Sequence, residues 1–145
     1  MTKYTINKKT TALIPAKQIG YETLIIEQQE TYLHKEPALN IIEATCKEDW
    51  SSYNTRRNIT IEKTGYIQKT PIPVNIRQRI IAVPTHSPNH IDCIWIILNK
   101  HTKLNKNGNH IELITNNDTI ITLNASIHTI KNQIRRGIYV HNLLI

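Results

Sequence analysis

The most regular pattern of apolar residues lies near the end of the chain and predicts an amphipathic helix. Four isoleucines recur there at intervals of three, four and four residues: Ile127, Ile130, Ile134 and Ile138. At about 100° per residue these side chains fall in one stripe of a helix. Ser126 precedes them, where a hydroxyl can cap the helix N-terminus. We expect this helix to run at least to Arg136 and to be interrupted or ended by Gly137.

The apolar segments in the first half of the chain are shorter and predict β-strands. We place strands at residues 11–15, 22–28, 31–34, 38–43 and 58–62. The last of these alternates apolar Ile59 and Ile61 with polar neighbours, which is typical of a half-buried strand. The C-terminal segment is therefore the one helix that the pattern predicts.

The second half predicts a more apolar sheet, with strands at residues 79–83, 93–98, 110–114 and 119–123. The run at 93–98 is apolar at consecutive positions, which indicates a central strand covered on both faces. Residues 106–109 and 116–118 predict turns, and the second turn would close a β-hairpin. The predicted fold class is α+β: one β-rich domain over residues 1–145, with an antiparallel or mixed sheet and a C-terminal amphipathic helix on one face.

Charge is unevenly distributed and favours a polyanionic partner. The formal net charge is +7; residues 1–62 contain eight Lys or Arg and eight acids, whereas residues 63–145 contain ten Lys or Arg and three acids. A concentrated positive field attracts and steers a polyanion, and Lys and Arg that neutralise phosphates supply most non-specific affinity for nucleic acid. Nucleic acid is the leading partner, although an anionic membrane surface also fits the charge alone.

No apolar run approaches the roughly 18 residues of a membrane span, and residues 1–7 lack the apolar stretch of a secretory signal. We therefore expect a cytoplasmic protein with no membrane partner. Cys46 and Cys93 are far apart in the sequence and are expected to be free thiols in that reducing compartment.

Patterns for metal binding or catalysis are weak. His86, His90 and Cys93 have a spacing that could supply zinc ligands, but no fourth ligand is evident, and loop histidines beside a buried cysteine are favoured. No serine lies in a G-x-S-x-G elbow, and the four glycines form no nucleotide-binding loop. We therefore expect no metal, no cofactor, no catalytic residue and no enzymatic activity.

Basic residues form clusters that suit contacts to nucleic acid. The clusters are Arg56 with Arg57, Arg77 with Arg79, Lys100 with Lys103 and Lys106, and Lys131 with Arg135 and Arg136. Arginine stays charged and donates parallel hydrogen bonds to phosphate. One cluster alone is more often a solvated surface, but several in a half-chain with few acids favour nucleic acid. They match no helix-turn-helix, zinc-finger or basic-zipper pattern.

Four motifs occur in order along the chain and span nearly all of it. They are C-x4-S-S-Y-x2-R-[KR] from Cys46 to Arg57, K-x-P-I-x-V from Lys69 to Val74, P-T-x-S…C-x-W-I from Pro84 to Ile96, and S-x5-N-Q-x2-R from Ser126 to Arg136. Together they resemble the competence transcription factor (ComK) family. Where the best-known member of that family has glycine, this chain has Trp50 and Ile94.

The resemblance implies a transcription activator of DNA-uptake genes. It implies binding to paired A/T-rich boxes of double-stranded DNA, largely through the minor groove, as a homodimer that assembles in pairs on DNA. It also implies control by a protease adaptor. The minor-groove hypothesis is physically reasonable, because A-tracts narrow that groove and deepen its negative potential, which attracts Arg and Lys.

The residues that we expect to contact DNA are mainly the basic ones: Arg56, Arg57, Arg77, Arg79, Lys131, Arg135 and Arg136. Neutral contacts to phosphate are expected from Ser51, Ser52, Tyr53, Asn132 and Gln133. For Ser52, Tyr53 and Gln133, a structural role in capping or packing competes equally with DNA contact.

Two alternatives stay open at the level of sequence. The first is a protein-interaction module that has lost specific DNA binding, which the departures at Trp50 and Ile94 would fit. The second is an RNA-binding protein. Single-strand RNA recognition relies on stacking aromatic side chains, whereas this chain has no Phe and groups none of its two Trp and six Tyr on one predicted strand.

Overall fold

The computed structural model of this chain describes residues 3–98, 103–114 and 120–145. Within these ranges the strands are β1 (Thr10–Pro15), β2 (Thr23–Glu27), β3 (Thr31–His34), β4 (Ile72–Asn75), β5 (Ile80–Pro84), β6 (Trp95–Leu98), β7 (Lys103–Asn107), β8 (His110–Ile114) and β9 (Ile120–Leu123). The helices are α1 (Ala38–Glu48), α2 (Tyr53–Thr64) and α3 (Ile127–Leu143). The predicted α+β class with a C-terminal helix is confirmed.

The strands form two antiparallel sheets. Six strands are ordered β3-β2-β1-β6-β5-β4, and three form a smaller sheet ordered β7-β8-β9. Every pairing is antiparallel. Strand β6 lies between β1 and β5, with Trp95 opposite Leu13 on one side and opposite Pro84 on the other. All four of its residues are buried, so the prediction of a central strand is confirmed for residues 95–98.

The large sheet is covered on both faces because its strands send alternate side chains into two apolar cores. In the first core Leu13 packs with Ile42 of α1. In the second core the adjacent Ala12 packs with Leu113 of the small sheet and Ile130 of α3. Helix α1 therefore covers one face, and α3 with the small sheet covers the other.

Helix α3 has the predicted cap, but its buried face differs from the predicted stripe, and the helix is longer than expected. Its buried residues are Ile130, Gln133, Gly137 and Val140, whereas Ile138 of the predicted stripe is 50% exposed. The Ser126 hydroxyl accepts a hydrogen bond from the amide of Thr129 at 3.1 Å. The helix continues through Gly137 to Leu143, so the expectation that Gly137 interrupts or ends it is wrong. A Cβ at Gly137 would clash with Leu98 and lie 2.7 Å from Cγ2 of Val83. The glycine therefore allows the helix backbone to approach the sheet closely.

The predicted strand at residues 38–43 is wrong, because these residues belong to α1. The buried side chains of α1 are Ile41, Ile42, Thr45 and Cys46. Their spacing follows one face of a helix. The window of residues 38–43 includes the β-branched pair Ile41 and Ile42 but stops before Thr45 and Cys46, and it therefore suggests a strand.

The predicted strand at residues 58–62 is also wrong, because it lies within α2. The buried residues of α2 are Arg56 and Thr60, one helical turn apart, and Ile59 is 46% exposed. The alternation of Ile59 and Ile61 with polar residues therefore does not mark a buried face. The described residues form three helices, so the prediction of a single helix is also wrong.

In the second half, strands β8 and β9 pair as predicted, whereas strands β4 and β7 were not predicted. Ile111 of β8 is paired with Leu123 of β9, and the predicted turn at residues 116–118 lies outside the described residues. The earlier turn is confirmed: Asn107 pairs with His110, and Gly108 has a φ of 61°, a left-handed conformation that glycine adopts without strain. No helix in the described ranges is both long and apolar enough to cross a membrane.

Candidate nucleic-acid interface

Arg56 is a buried residue that ties together three parts of the fold. Its Nη1 donates to the carbonyl oxygen of Pro73 at 2.8 Å, and its Nη2 donates to the backbone oxygen and the carboxylate of Asp49, each at 2.8 Å. The side chain is only 10% exposed. This geometry favours a structural role over the DNA contact that the sequence suggested.

The Ser51-Ser52-Tyr53 segment connects α1 with α2 and is partly buried. The Ser52 hydroxyl caps α2 by accepting from the amide of Thr55 at 3.1 Å. The Tyr53 ring packs against the first core, and burial raises the pKa of its phenol. The structural role that competed with DNA contact therefore has direct support for Ser52 and Tyr53, whereas Ser51 lies beside the exposed end of α1.

Arg57 is partly exposed on α2, one residue beyond the buried Arg56. Its Nη2 is 3.4 Å from the carbonyl oxygen of Ile67, a long contact that leaves most of the guanidinium's donors available. Successive residues of a helix point about 100° apart, so neighbouring arginines have different environments.

Arg77 and Arg79 occupy the tight turn between β4 and β5, and both are exposed. The Arg79 amide donates to the carbonyl oxygen of Ile76 at 3.2 Å, and the Asn75 side chain accepts from the amide of Gln78 at 2.8 Å. Arg79 has a φ of 54°. The turn is therefore well defined by its own hydrogen bonds and presents two cations at its tip.

This turn is also tied to the end of α1. The Asp49 carboxylate accepts from the Ile76 amide at 2.8 Å while it pairs with Arg56. Trp50, the residue after Asp49, is 98% exposed. An exposed tryptophan therefore lies one residue from the contact that anchors the basic turn.

Lys131 and Arg135 are exposed on α3, one helical turn apart. Arg135 donates to the side-chain oxygen of its neighbour Asn132. Asn132 itself is partly buried. Lys131, Asn132 and Arg135 therefore form a polar surface on this helix.

Gln133 and Arg136 connect the same helix to the rest of the fold. The Gln133 amide nitrogen donates to the carbonyl oxygens of Lys69 and Pro84, both at 2.8 Å, and the residue is 1% exposed. Arg136 donates to the carbonyl oxygen of Gln68 at 2.9 Å, and its guanidinium carbon lies 4.5 Å from the centroid of the Tyr66 ring. Gln133 is thus inaccessible to DNA, and Arg136 is largely committed to contacts within the chain.

Among the residues predicted to contact DNA, the four exposed cations form two separate groups. The hydrogen bond from Gln133 to Pro84 places Lys131 and Arg135 of α3 near the end of β5. Arg77 and Arg79 lie at the other end of this strand, just before Ile80. With a rise of roughly 3.3 Å per residue, the two ends of this strand lie about 13 Å apart. We call Arg77 with Arg79 the turn group, and Lys131 with Arg135 the helix group.

The histidines and cysteines form no metal site in the described ranges, where no three His, Cys, Asp or Glu side chains are arranged around a common point. The His86 and His90 rings stack at 4.6 Å, and the Cys93 thiol donates to the carbonyl oxygen of His86 at 3.4 Å. Burial raises the pKa of Cys93 and, for Cys46, raises it to about 11. Both thiols are buried and protonated at neutral pH.

The fold and the exposed cations define a small basic α+β domain, and comparison with known proteins places it in a family. Residues 1–144 match the family described as ComK protein, and the chain belongs to that family. Among its relatives is the competence transcription factor of Bacillus subtilis (strain 168), which is 29% identical over 139 residues; the match covers 94% of this chain and 72% of the relative. No solved structure matches this chain significantly. The resemblance recognised from the four motifs is confirmed.

Proposed function

We propose that this protein is a transcription activator of competence genes that acts by binding double-stranded DNA, without enzymatic activity. The observation that carries the proposal is the family match over residues 1–144. The turn group and the helix group support it, because their four cations are exposed and form no ion pair with any described acid. Such cations are available to neutralise phosphates.

In this proposal the β4–β5 turn enters the minor groove. The minor groove of B-DNA is roughly 6 Å wide, whereas a helix with its side chains is about 10–12 Å across. Helix α3 is therefore too wide for an undistorted minor groove, whereas the side chains of Arg77 and Arg79, presented by a tight turn, can enter it. An A/T-rich groove is narrow and strongly negative, which favours inserted arginine.

The helix group then contacts phosphates beside the groove. Lys131 is a flexible point charge, and Arg135 carries a planar fork that matches phosphate oxygens. Asn132 and Arg57 are partly exposed and extend the set of polar contacts. Arg56 and Gln133 are left out of the contact set, because their donors are used inside the fold.

Binding as a homodimer to paired A/T-rich boxes completes the proposal. A protein with two-fold symmetry matches two half-sites, and pairs of dimers would occupy paired boxes. One subunit offers two basic groups that are separated by about the length of β5, so each subunit can hold the backbone and the groove at once.

A fluorescence anisotropy titration tests this function. The probes are duplexes with two A/T-rich boxes and scrambled G/C-rich duplexes, each at two salt concentrations. We expect a preference for the A/T-rich duplex that survives the higher salt. Weak binding that ignores sequence and vanishes with salt would overturn the proposal, because counterion release alone gives that behaviour.

The matched control for surface charge is Lys17→Ala. Lys17 is exposed in the connection between β1 and β2, far along the chain from both basic groups. We expect Arg77→Ala combined with Arg79→Ala to weaken binding to the A/T-rich duplex, and Lys17→Ala to leave it nearly unchanged. Equal losses per removed charge in the two variants would mean that only overall charge matters.

One feature favours a second candidate function, a protein-interaction module. A cavity of about 300 Å³ lies between α2 and the end of α3 and is lined by apolar side chains that include Ile59, Ile76 and Leu143. These three residues are each more than 40% exposed. A chain that shows no preference for A/T-rich duplexes would move this candidate ahead.

A further inference from the structure

Helix α1 ends in a glycine-type cap that is occupied by tryptophan. The amide of Trp50 donates to the carbonyl oxygen of Lys47 at 3.1 Å, and the amide of Ser51 donates to the carbonyl oxygen of Cys46 at 3.0 Å. This pair of bonds is a Schellman motif, in which the residue after the C-cap adopts a left-handed conformation and is usually glycine. Trp50 has a φ of 61°, so the motif imposes strain on it.

The strain at Trp50 is not offset by packing within the chain. Its indole is 98% exposed, and the aromatic contacts among the described residues involve other rings. A large exposed apolar side chain in a strained backbone conformation stabilises nothing in the folded state. Features of this kind concentrate where function needs them.

The corner that carries Trp50 is held rigidly against the basic turn. The Asp49 carboxylate accepts from the Ile76 amide at 2.8 Å and pairs with the buried Arg56 at 2.8 Å. Arg77 follows Ile76 directly, so the indole and the turn group project from one anchored unit. An exposed acid, Glu48, lies one residue before Asp49, and two arginines of the turn group outweigh it.

The chemistry of this corner matches duplex DNA. Proteins that bend DNA through the minor groove insert an apolar side chain between base steps while nearby cations hold the backbone. Aromatic rings also stack on bases of any sequence. A purely apolar partner would gain nothing from the arginines of the turn group, whereas a phosphate backbone would.

We propose that Trp50 is a DNA-contacting residue whose indole stacks on or wedges into a base step beside the turn group. The proposal rests on the DNA-binding function argued above and adds the residue that unstacks or bends the duplex. In this proposal Trp50 lowers the stability of the fold and raises its affinity for DNA. The change Trp50→Gly should consequently have effects of opposite sign on the two properties.

The first experiment compares Trp50→Gly with the unaltered protein in thermal unfolding and in anisotropy titrations. We expect a higher melting temperature, because glycine relieves the left-handed strain. We also expect affinity for the A/T-rich duplex to fall about tenfold, within the range measured for loss of one base stack. The control is Ile19→Ala, which removes another fully exposed apolar side chain and should leave affinity unchanged.

A spectroscopic measurement follows the same contact directly. The chain has two tryptophans; Trp50 is 98% exposed and Trp95 is 1% exposed. Duplex DNA should quench the exposed, red-shifted emission of the unaltered protein. In the Trp50→Phe variant the emission of buried Trp95 should not respond to DNA.

Three results distinguish a failure of the proposed role of Trp50 from a failure of the DNA-binding function. If Trp50→Gly binds the A/T-rich duplex as tightly as the unaltered protein, the role of Trp50 is refuted and the DNA-binding function stands. If the unaltered protein binds no duplex, the DNA-binding function itself fails. If DNA leaves the Trp50 emission unchanged while Trp50→Gly lowers the sedimentation mass, the indole contacts a second copy of the chain, and the role in DNA contact is overturned.

Discussion

The carboxylate of Asp49 and the guanidinium of Arg56 lie 2.8 Å apart and form an ion pair that is 21% and 10% exposed on its two sides. The pair connects the end of α1 with α2. Arg56 extends it to β4 through Pro73, and Asp49 extends it to the β4–β5 turn through Ile76. The position of the turn group therefore depends on a charge pair that is mostly buried.

The change Arg56→Met should destabilise the protein by about 3–5 kcal/mol, because removal of one partner leaves a poorly solvated carboxylate. It also leaves the carbonyl oxygen of Pro73 without its donor. The measurement is the free energy of unfolding from a denaturant titration. Arg57→Met is the matched control: Arg57 is partly exposed, and its loss should cost no more than about 0.5 kcal/mol. A stable Arg56→Met variant that fails to bind DNA would restore Arg56 as a contact residue.

The adjacent arginines show what sequence could predict and where it had to stop. Both belong to a motif that the sequence identified, and both are equally plausible as DNA contacts from charge alone. Which one is buried depends on the rotation of α2 against β4, since neighbours on a helix point about 100° apart. The sequence pattern predicted a strand over residues 58–62, which lie inside α2. It therefore gave no basis for distinguishing the two arginines.

The elements predicted correctly are those whose signal is local. The cap of α3, the buried run that became β6, and the glycine turn before β8 each depend on a few neighbouring residues. Helix α1 failed because its apolar face combines a β-branched pair with Thr45 and Cys46 one turn later. Trp50 was noticed only as a departure from the family pattern, because neither its left-handed backbone nor its exposure is visible in the sequence.

The change Gly137→Ala should destabilise the protein, although alanine has the higher helix propensity. The new Cβ would lie 2.7 Å from Cγ2 of Val83 and would also clash with Leu98. Overpacking of a core costs roughly 1–3 kcal/mol, and the propensity gain returns at most about 1 kcal/mol. We expect a net loss of about 1 kcal/mol by denaturant titration. Asn142→Ala, at an exposed position of the same helix, should be neutral or stabilising; a stabilised Gly137→Ala would show that the sheet yields easily.

Stability should fall at alkaline pH because of Cys46. Burial, the largest cause, raises the pKa of its thiol from 9.0 to about 11, and Glu43 and Asp49 act in the same direction. The unfolded chain therefore loses this proton at lower pH than the folded chain. The contribution is fully present below pH 9.0 and is lost as pH rises towards about 11. Burial also raises the pKa of Cys93 and Tyr53, which adds to the loss.

Denaturant titrations at a series of pH values test the cysteine effect. The Cys46→Ala variant should start from a lower stability, because it leaves a cavity in the first core. Its stability should nevertheless decline less steeply in this pH range than that of the unaltered protein. Identical slopes for the two proteins would assign the alkaline loss to other groups.

The turn group and the helix group should respond differently to salt and to sequence. A contact to phosphate releases counterions, so the loss of Lys131 and Arg135 should reduce the salt slope of binding by about 0.9 for each phosphate released, roughly 2 in total. The preference for A/T-rich over G/C-rich duplexes should change little in that double variant. The Arg77→Ala and Arg79→Ala double variant should instead lose most of the preference, since groove shape is read where arginine enters. Anisotropy titrations of both variants on both duplexes, over a range of salt, give all four quantities. The reverse result, with preference lost through the helix group, would place α3 at the groove and the turn on the backbone, and would overturn this assignment of the two groups.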